Sequence, residues 1–64
     1  MRLHKVVPTL KVGDKVSTMN TLTRTRLHGI IINDGTSGGE IWEQVTFDDG
    51  ITMWINAEQL EKEE

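Results

Sequence analysis

Between Glu40 and Ile55, hydrophobic and polar positions alternate on both sides of a short acidic turn. The first arm is Glu40-Ile41-Trp42-Glu43-Gln44-Val45-Thr46-Phe47, the turn is Asp48-Asp49-Gly50, and the second arm is Ile51-Thr52-Met53-Trp54-Ile55. A period of two is the signature of a strand. Gly50 in the left-handed region closes a three-residue hairpin loop. That loop sets Phe47 opposite Ile51, Val45 opposite Met53 and Glu43 opposite Ile55. The other parity then pairs Thr46 with Thr52, Gln44 with Trp54 and Trp42 with Asn56. Opposed residues share a face of the sheet. One face is therefore Val45, Phe47, Ile51, Met53 and Ile55, and the other is Trp42, Gln44, Thr46, Thr52 and Trp54. A two-residue Asp49-Gly50 loop would place Phe47 against Thr52 and Val45 against Trp54. Both faces would then be mixed, so the three-residue loop is the better register.

Upstream, shorter apolar runs predict further strands. Leu3-His4-Lys5-Val6-Val7 reads as a short strand that Pro8 either stops or confines to a sheet edge. Gly13-Asp14 marks a turn before a strand that starts near Lys15. Ser17 to Arg26 is polar and threonine-rich, which predicts either a long loop or two ragged strand ends with a bend. Leu27-His28-Gly29-Ile30-Ile31-Ile32 is apolar and β-branched, hence a strand, with Gly29 marking a bulge or a close backbone approach. Asn33 to Gly39 reads as a flexible turn. Asn56 caps one helical turn through Ala57-Glu58-Gln59-Leu60, and Leu60 tucks beneath the sheet. Glu61 to Glu64 is expected to fray. The sum is about five short strands in one domain, residues 1–64. Closing such a sheet on itself is the simplest way to remove its exposed edges.

Composition narrows the function classes more than it selects one. There is no cysteine, so neither a disulfide nor a thiolate metal site supports the fold. No apolar run approaches the roughly 20 residues that span a bilayer, and the N-terminus does not read as a signal peptide, so the expectation is a cytoplasmic protein without a membrane partner. Charge is unevenly spread. Residues 1–26 carry a formal +5 and residues 27–64 a formal −8, within a total of −3. If the halves formed different surfaces, the molecule would carry a dipole able to steer a partner.

The segments Val12-Gly13-Asp14-Lys15-Val16, Gly29-Ile30-Ile31, Val45-Thr46-Phe47-Asp48-Asp49-Gly50, Ile55 and Leu60-Glu61 together resemble the small bacterial and phage SH3-like β-barrels of the Tudor and KOW type. The resemblance covers roughly residues 10–61. It implies an all-β, five-stranded barrel with a short C-terminal helical turn. It implies no single function, because such barrels serve peptide binding, RNA binding, subunit docking and catalysis. The Tudor cage for methylated side chains needs several rings, and Phe47 belongs to the opposite face from Trp42 and Trp54. The Val-Gln-Ile-Tyr segment of the type II dihydrofolate reductases is absent; Ile51-Thr52-Met53-Trp54 does not match it.

Candidate chemistry is therefore a matter of surfaces. Trp42 and Trp54, with Gln44, Thr46 and Thr52 between them, form the candidate partner-binding face, and a groove is expected between that face and the loop after Ser17. Tryptophan combines large apolar area with an indole N–H, a combination that recurs at binding hot spots. A protein partner, a second copy of the chain or the N-terminal strand would each cover the rings. The alternative is a nucleic-acid surface in which Lys11, Lys15, Arg24 and Arg26 meet phosphates, as the first loop of a KOW module does. No metal site is expected: Asp48 and Asp49 follow turn chemistry, and His4 and His28 have no ligand spacing. Gly35-Thr36-Ser37-Gly38-Gly39 lacks the lysine and helix of a phosphate loop. No nucleophile stands beside an evident base, so no catalytic residue, cofactor or enzymatic activity is expected.

Overall fold

The computed structural model describes residues 10–63. Among these residues five strands, all antiparallel to their neighbours, run in the sheet order β4-β3-β2-β1-β5. They are β1 (Lys15–Asn20), β2 (Thr25–Ser37), β3 (Glu40–Phe47), β4 (Thr52–Asn56) and β5 (Glu61–Lys62), with one 3₁₀ turn (Ala57–Gln59) between the last two. The expected strand at Leu3–Val7 lies outside the described residues.

The hairpin register follows the alternation. Trp42 pairs with Asn56, Glu43 with Ile55, Gln44 with Trp54, Val45 with Met53 and Thr46 with Thr52. The Phe47 N–H donates to the Ile51 carbonyl at 2.8 Å, and the Gly50 N–H returns to the Phe47 carbonyl at 2.8 Å. Gly50 has φ +89°, the left-handed geometry that closes a three-residue loop.

Val16, Ile31, Val45, Phe47, Ile55 and Leu60 form one buried cluster, with Leu10 and Leu27 packed against it. β1 and β4 are separated by two strands, yet both feed this cluster, so the sheet curls around it. The row Val16, Gly29, Phe47 crosses three strands. A Cβ on Gly29 would lie 2.6 Å from the Thr46 carbonyl oxygen and 2.7 Å from Val45 Cγ1. Gly29 thus marks a close approach of β2 to β3. The bulge falls further along β2, at the register shift between Ile31 and Asn33. It bends this long strand where the curl requires it.

Several expectations are corrected. β2 runs through Asn33 to Ser37, and only Gly38-Gly39 turn, at φ +61° and +80°. Two consecutive positive values are the type I′ pattern, which lets the ladder continue to the tip. Ser17 to Arg26, by contrast, takes the second of its two expected forms, strand ends with a bend: Asn20 Oδ1 accepts from the Leu22 N–H at 3.0 Å, and Arg24 takes φ +59°. Glu61 and Lys62 pair with Ser17 and Val16 as β5 instead of fraying. Ile51 and Met53 share the parity of the core but remain exposed, because β4 is an edge strand with no neighbour beyond it among the described residues. Among the described residues no ladder joins β4 to β5, so main-chain pairing does not close the sheet into a barrel.

Asn56 caps the 3₁₀ turn, its side-chain oxygen accepting from the Glu58 N–H at 2.9 Å, and Leu60 is buried after it. Thr18 Oγ1 donates to the Gln59 carbonyl at 2.8 Å. That bond ties the turn to β1 and fixes the side of the molecule on which β4 ends.

Candidate functional site

The register puts Trp42, Gln44, Thr46, Thr52 and Trp54 on the parity opposite to the buried Val45, Phe47 and Ile55. β2 continues the same face, with Gly35 opposite Trp42, Asn33 opposite Gln44 and Ile30 opposite Thr46. Thr46 and Thr52 join through their hydroxyls at 3.0 Å. Trp42 is half-buried, whereas Trp54 keeps 47% of its surface exposed.

Glycine at position 35 shapes the aromatic surface. A Cβ there would sit 3.7 Å from Cζ3 of Trp54. The Trp54 ring therefore reaches from β4 across β3 toward β2, over a strand position that carries no side chain. Gly35, Thr36 and Ser37 close one side of an open cavity of about 340 Å³ whose other walls are the two indoles.

A second and larger cavity, about 490 Å³, opens along β4. Met53, Trp54 and Ile55 form one wall, and Met19, Leu22 and Leu27 belong to the other. Leu22 is almost fully solvent-exposed at the tip of the β1–β2 turn. This is the groove expected between the tryptophan face and the segment after Ser17. Both indoles line both cavities, so they are a wall that the two share.

The four cations do not converge. Lys11 lies in the turn before β1, where its N–H donates to Asp14 Oδ2 at 2.9 Å, and Lys15 opens β1. Arg24 lies at the opposite end of the β1–β2 hairpin, about 17 Å away at strand rise. Arg26 bonds Ser17 Oγ at 3.0 Å and Glu61 Oε1 at 2.8 Å. His28 meets Glu63 at 2.6 Å, and Lys62 lies 3.8 Å from Asp14. Acids brought in by β5 are thus interleaved with the basic first half.

Glu43 is the charged residue least expected inside. Only 2% of it is exposed, and its Oε1 has no hydrogen-bond partner among the described residues. Burial raises its pKa, and the negative charges of Asp34 and Asp14 raise it further. Asp34 is its direct cross-strand partner. The hairpin register does place Glu43 opposite Ile55, but alternation alone does not say that the surrounding side chains close over it. The role of Gly35 beneath Trp54 and the exposure of Leu22 also carry no sequence signal, since both depend on how far the sheet curls. Asp48 and Asp49 are exposed, and Asp49 Oδ1 accepts from the Ile51 N–H at 3.0 Å, which is turn chemistry. Among the described residues no group of three or more histidines and carboxylates converges as a metal site.

Comparison with protein-family models, with curated proteins and with solved structures returns no match for this chain.

Proposed function

We propose that the chain is a non-enzymatic protein-interaction module of SH3-like barrel type, a small cytoplasmic regulator or subunit that docks on a larger protein through Trp42 and Trp54. The sheet order and the 3₁₀ turn between β4 and β5 support the barrel reading. The observation that carries the functional reading is the shared wall: two indoles on one outward face, Trp54 reaching over Gly35, the cross-strand partner of Trp42, with both rings lining two open cavities. Gln44, Thr46 and Thr52 supply polar groups beside an apolar anchor, the mixture found where a surface must stay soluble when free and dry when bound. Each indole buried by a partner is expected to contribute on the order of 2 kcal/mol or more.

Affinity capture with the wild-type chain and with the Trp42→Ala/Trp54→Ala variant tests the reading, with circular dichroism as the check on folding. A partner retained by the wild type and lost from the folded variant is the expected result. Equal retention by both would remove the indoles from the interface. Binding of RNA or DNA that is present at low salt, lost at high salt and indifferent to the two tryptophans would replace a protein partner with a nucleic acid.

A further inference from the structure

The β4 edge lies along the larger cavity, which Met53, Trp54, Ile55 and Asn56 line. Phe47 and Ile51 are a hydrogen-bonded pair, shown by the Phe47 N–H to Ile51 carbonyl bond at 2.8 Å. Hydrogen-bonded and non-hydrogen-bonded pairs alternate along an antiparallel ladder. Val45 with Met53 and Glu43 with Ile55 are therefore also bonded pairs. Thr52 and Trp54 belong to the other set, so their N–H and C=O groups point away from β3. Among the described residues no strand lies beyond β4 in the sheet order.

Natural sheets usually blunt such an edge with charge, proline or a bulge. From Ile51 to Ala57 there is no charged residue and no proline, and the β3–β4 ladder has no register shift. Charge appears only beyond the two ends of the strand. Asp48 and Asp49 are exposed at the turn before it, and Glu40 accepts from the Asn56 side chain at 3.1 Å where it finishes. Between Gly29 and Leu60 the chain has six acids and no lysine, arginine or histidine.

We infer that the partner presents a single extended strand, basic at both ends and apolar at alternate positions, which adds antiparallel to β4. This deepens the docking proposal and rests on it. The strand would take its main-chain hydrogen bonds from Thr52 and Trp54. The side chains on one of its faces would enter the groove between Met53 and Leu22. Its terminal cations would meet Asp48 and Asp49 at one end and Glu40 at the other. Main-chain pairing supplies affinity in this mode, and the side-chain pockets supply selectivity. A second copy of β4 fits the uncharged edge but brings its own acids to both ends, which a basic strand does not.

The test uses the wild-type protein and a synthetic peptide, Lys-Lys-Val-Thr-Val-Thr-Val-Lys-Lys. Two analogues accompany it: one with all five central amides N-methylated, and one with glutamate in place of every lysine. Readouts are tryptophan fluorescence and amide hydrogen exchange. Saturable binding of the parent peptide, with slowed exchange at the Thr52 and Trp54 N–H groups, is expected. N-methylation is expected to weaken binding by roughly tenfold or more, because it removes the strand's donors. The glutamate peptide is expected to bind several-fold more weakly, by a margin that narrows as salt is raised from about 50 to 300 mM. Equal binding of the parent and N-methylated peptides would overturn the inference. So would protection of Thr52 and Trp54 in the protein alone, rising with its concentration as sedimentation shows a dimer; the occupant would then be a second copy. If no peptide binds while a captured partner still depends on Trp42 and Trp54, strand addition fails and the docking surface stands.

Discussion

Glu43 shares its side of β3 with Val45 and Phe47, and the register gives it Asp34 on one flank and Ile55 on the other. Its folded pKa is raised by burial first and then by the charges of Asp34 and Asp14, from an ordinary value of 4.5. Between that value and the raised one, the folded state holds a proton that the unfolded state has released. Stability from this group is therefore fully present below the unfolded pKa and is lost as pH rises through the folded pKa. Glu43→Met keeps the volume and removes the charge. Replacing buried charge by apolar side chains of similar size is often neutral or stabilising, by roughly 1–4 kcal/mol at the upper end. The variant is expected to unfold at higher urea than the wild type at pH 7, and the gap is expected to shrink near pH 4. Urea midpoints at the two pH values check this; a gap of the same size at both would show that Glu43 does not titrate with folding.

The 3₁₀ turn shows an element set by one residue in two capacities. Asn56 accepts from the Glu58 N–H with its side-chain oxygen and donates to Glu40 with its side-chain nitrogen. Asn56→Ala removes both bonds and is expected to cost about 1 kcal/mol, the usual loss for a cap of this kind. Asn56→Asp keeps the accepting oxygen but sets a carboxylate against Glu40, so it should fall between wild type and alanine, and improve relative to alanine as salt screens the repulsion. Thermal unfolding of the three proteins at two salt concentrations gives the order. This cap was legible in the sequence, as was the β3–β4 register, because both rest on contacts within a few residues. The length of β2 was not. Asn33, Gly35 and Gly38-Gly39 all read locally as turn formers, and the ladder with Glu40 to Gln44 outweighs that preference for the first two. The Trp42 and Trp54 face was likewise legible from parity, whereas the groove walls at Met19 and Leu22 depend on the curl that brings β1 near β4, which no local pattern encodes.

At the scale of the molecule the two edges of the sheet are finished in opposite ways. The β5 edge is laced with charge: Arg26 bridges Ser17 and Glu61, His28 meets Glu63, and Lys62 approaches Asp14. The β4 edge carries none, and the exposed apolar surface follows it. A short sheet with an unguarded side depends on the opposite side to hold its curl. Glu61 and Lys62 pair with Ser17 and Val16, and the Glu63 N–H donates to the Lys15 carbonyl at 2.8 Å. Deleting residues 61–64 removes these bonds and uncovers Ser17, which is buried, next to the core residue Val16. Each main-chain bond contributes about 0.5–1.5 kcal/mol net and each exposed ion pair less than about 1, so the deletion should cost roughly 2–3 kcal/mol. In a domain this small that is a fall in Tm on the order of 10 °C or more. Glu61→Gln/Glu63→Gln keeps the strand and loses only the Arg26–Glu61 ion pair and the carboxylate beside His28, so it should cost less than about 1 kcal/mol and shrink further at high salt. An unchanged Tm after deletion would mean that the acidic end does not order in solution. A loss equal to that of the double glutamine variant would mean that charge, and not strand pairing, holds it against β1.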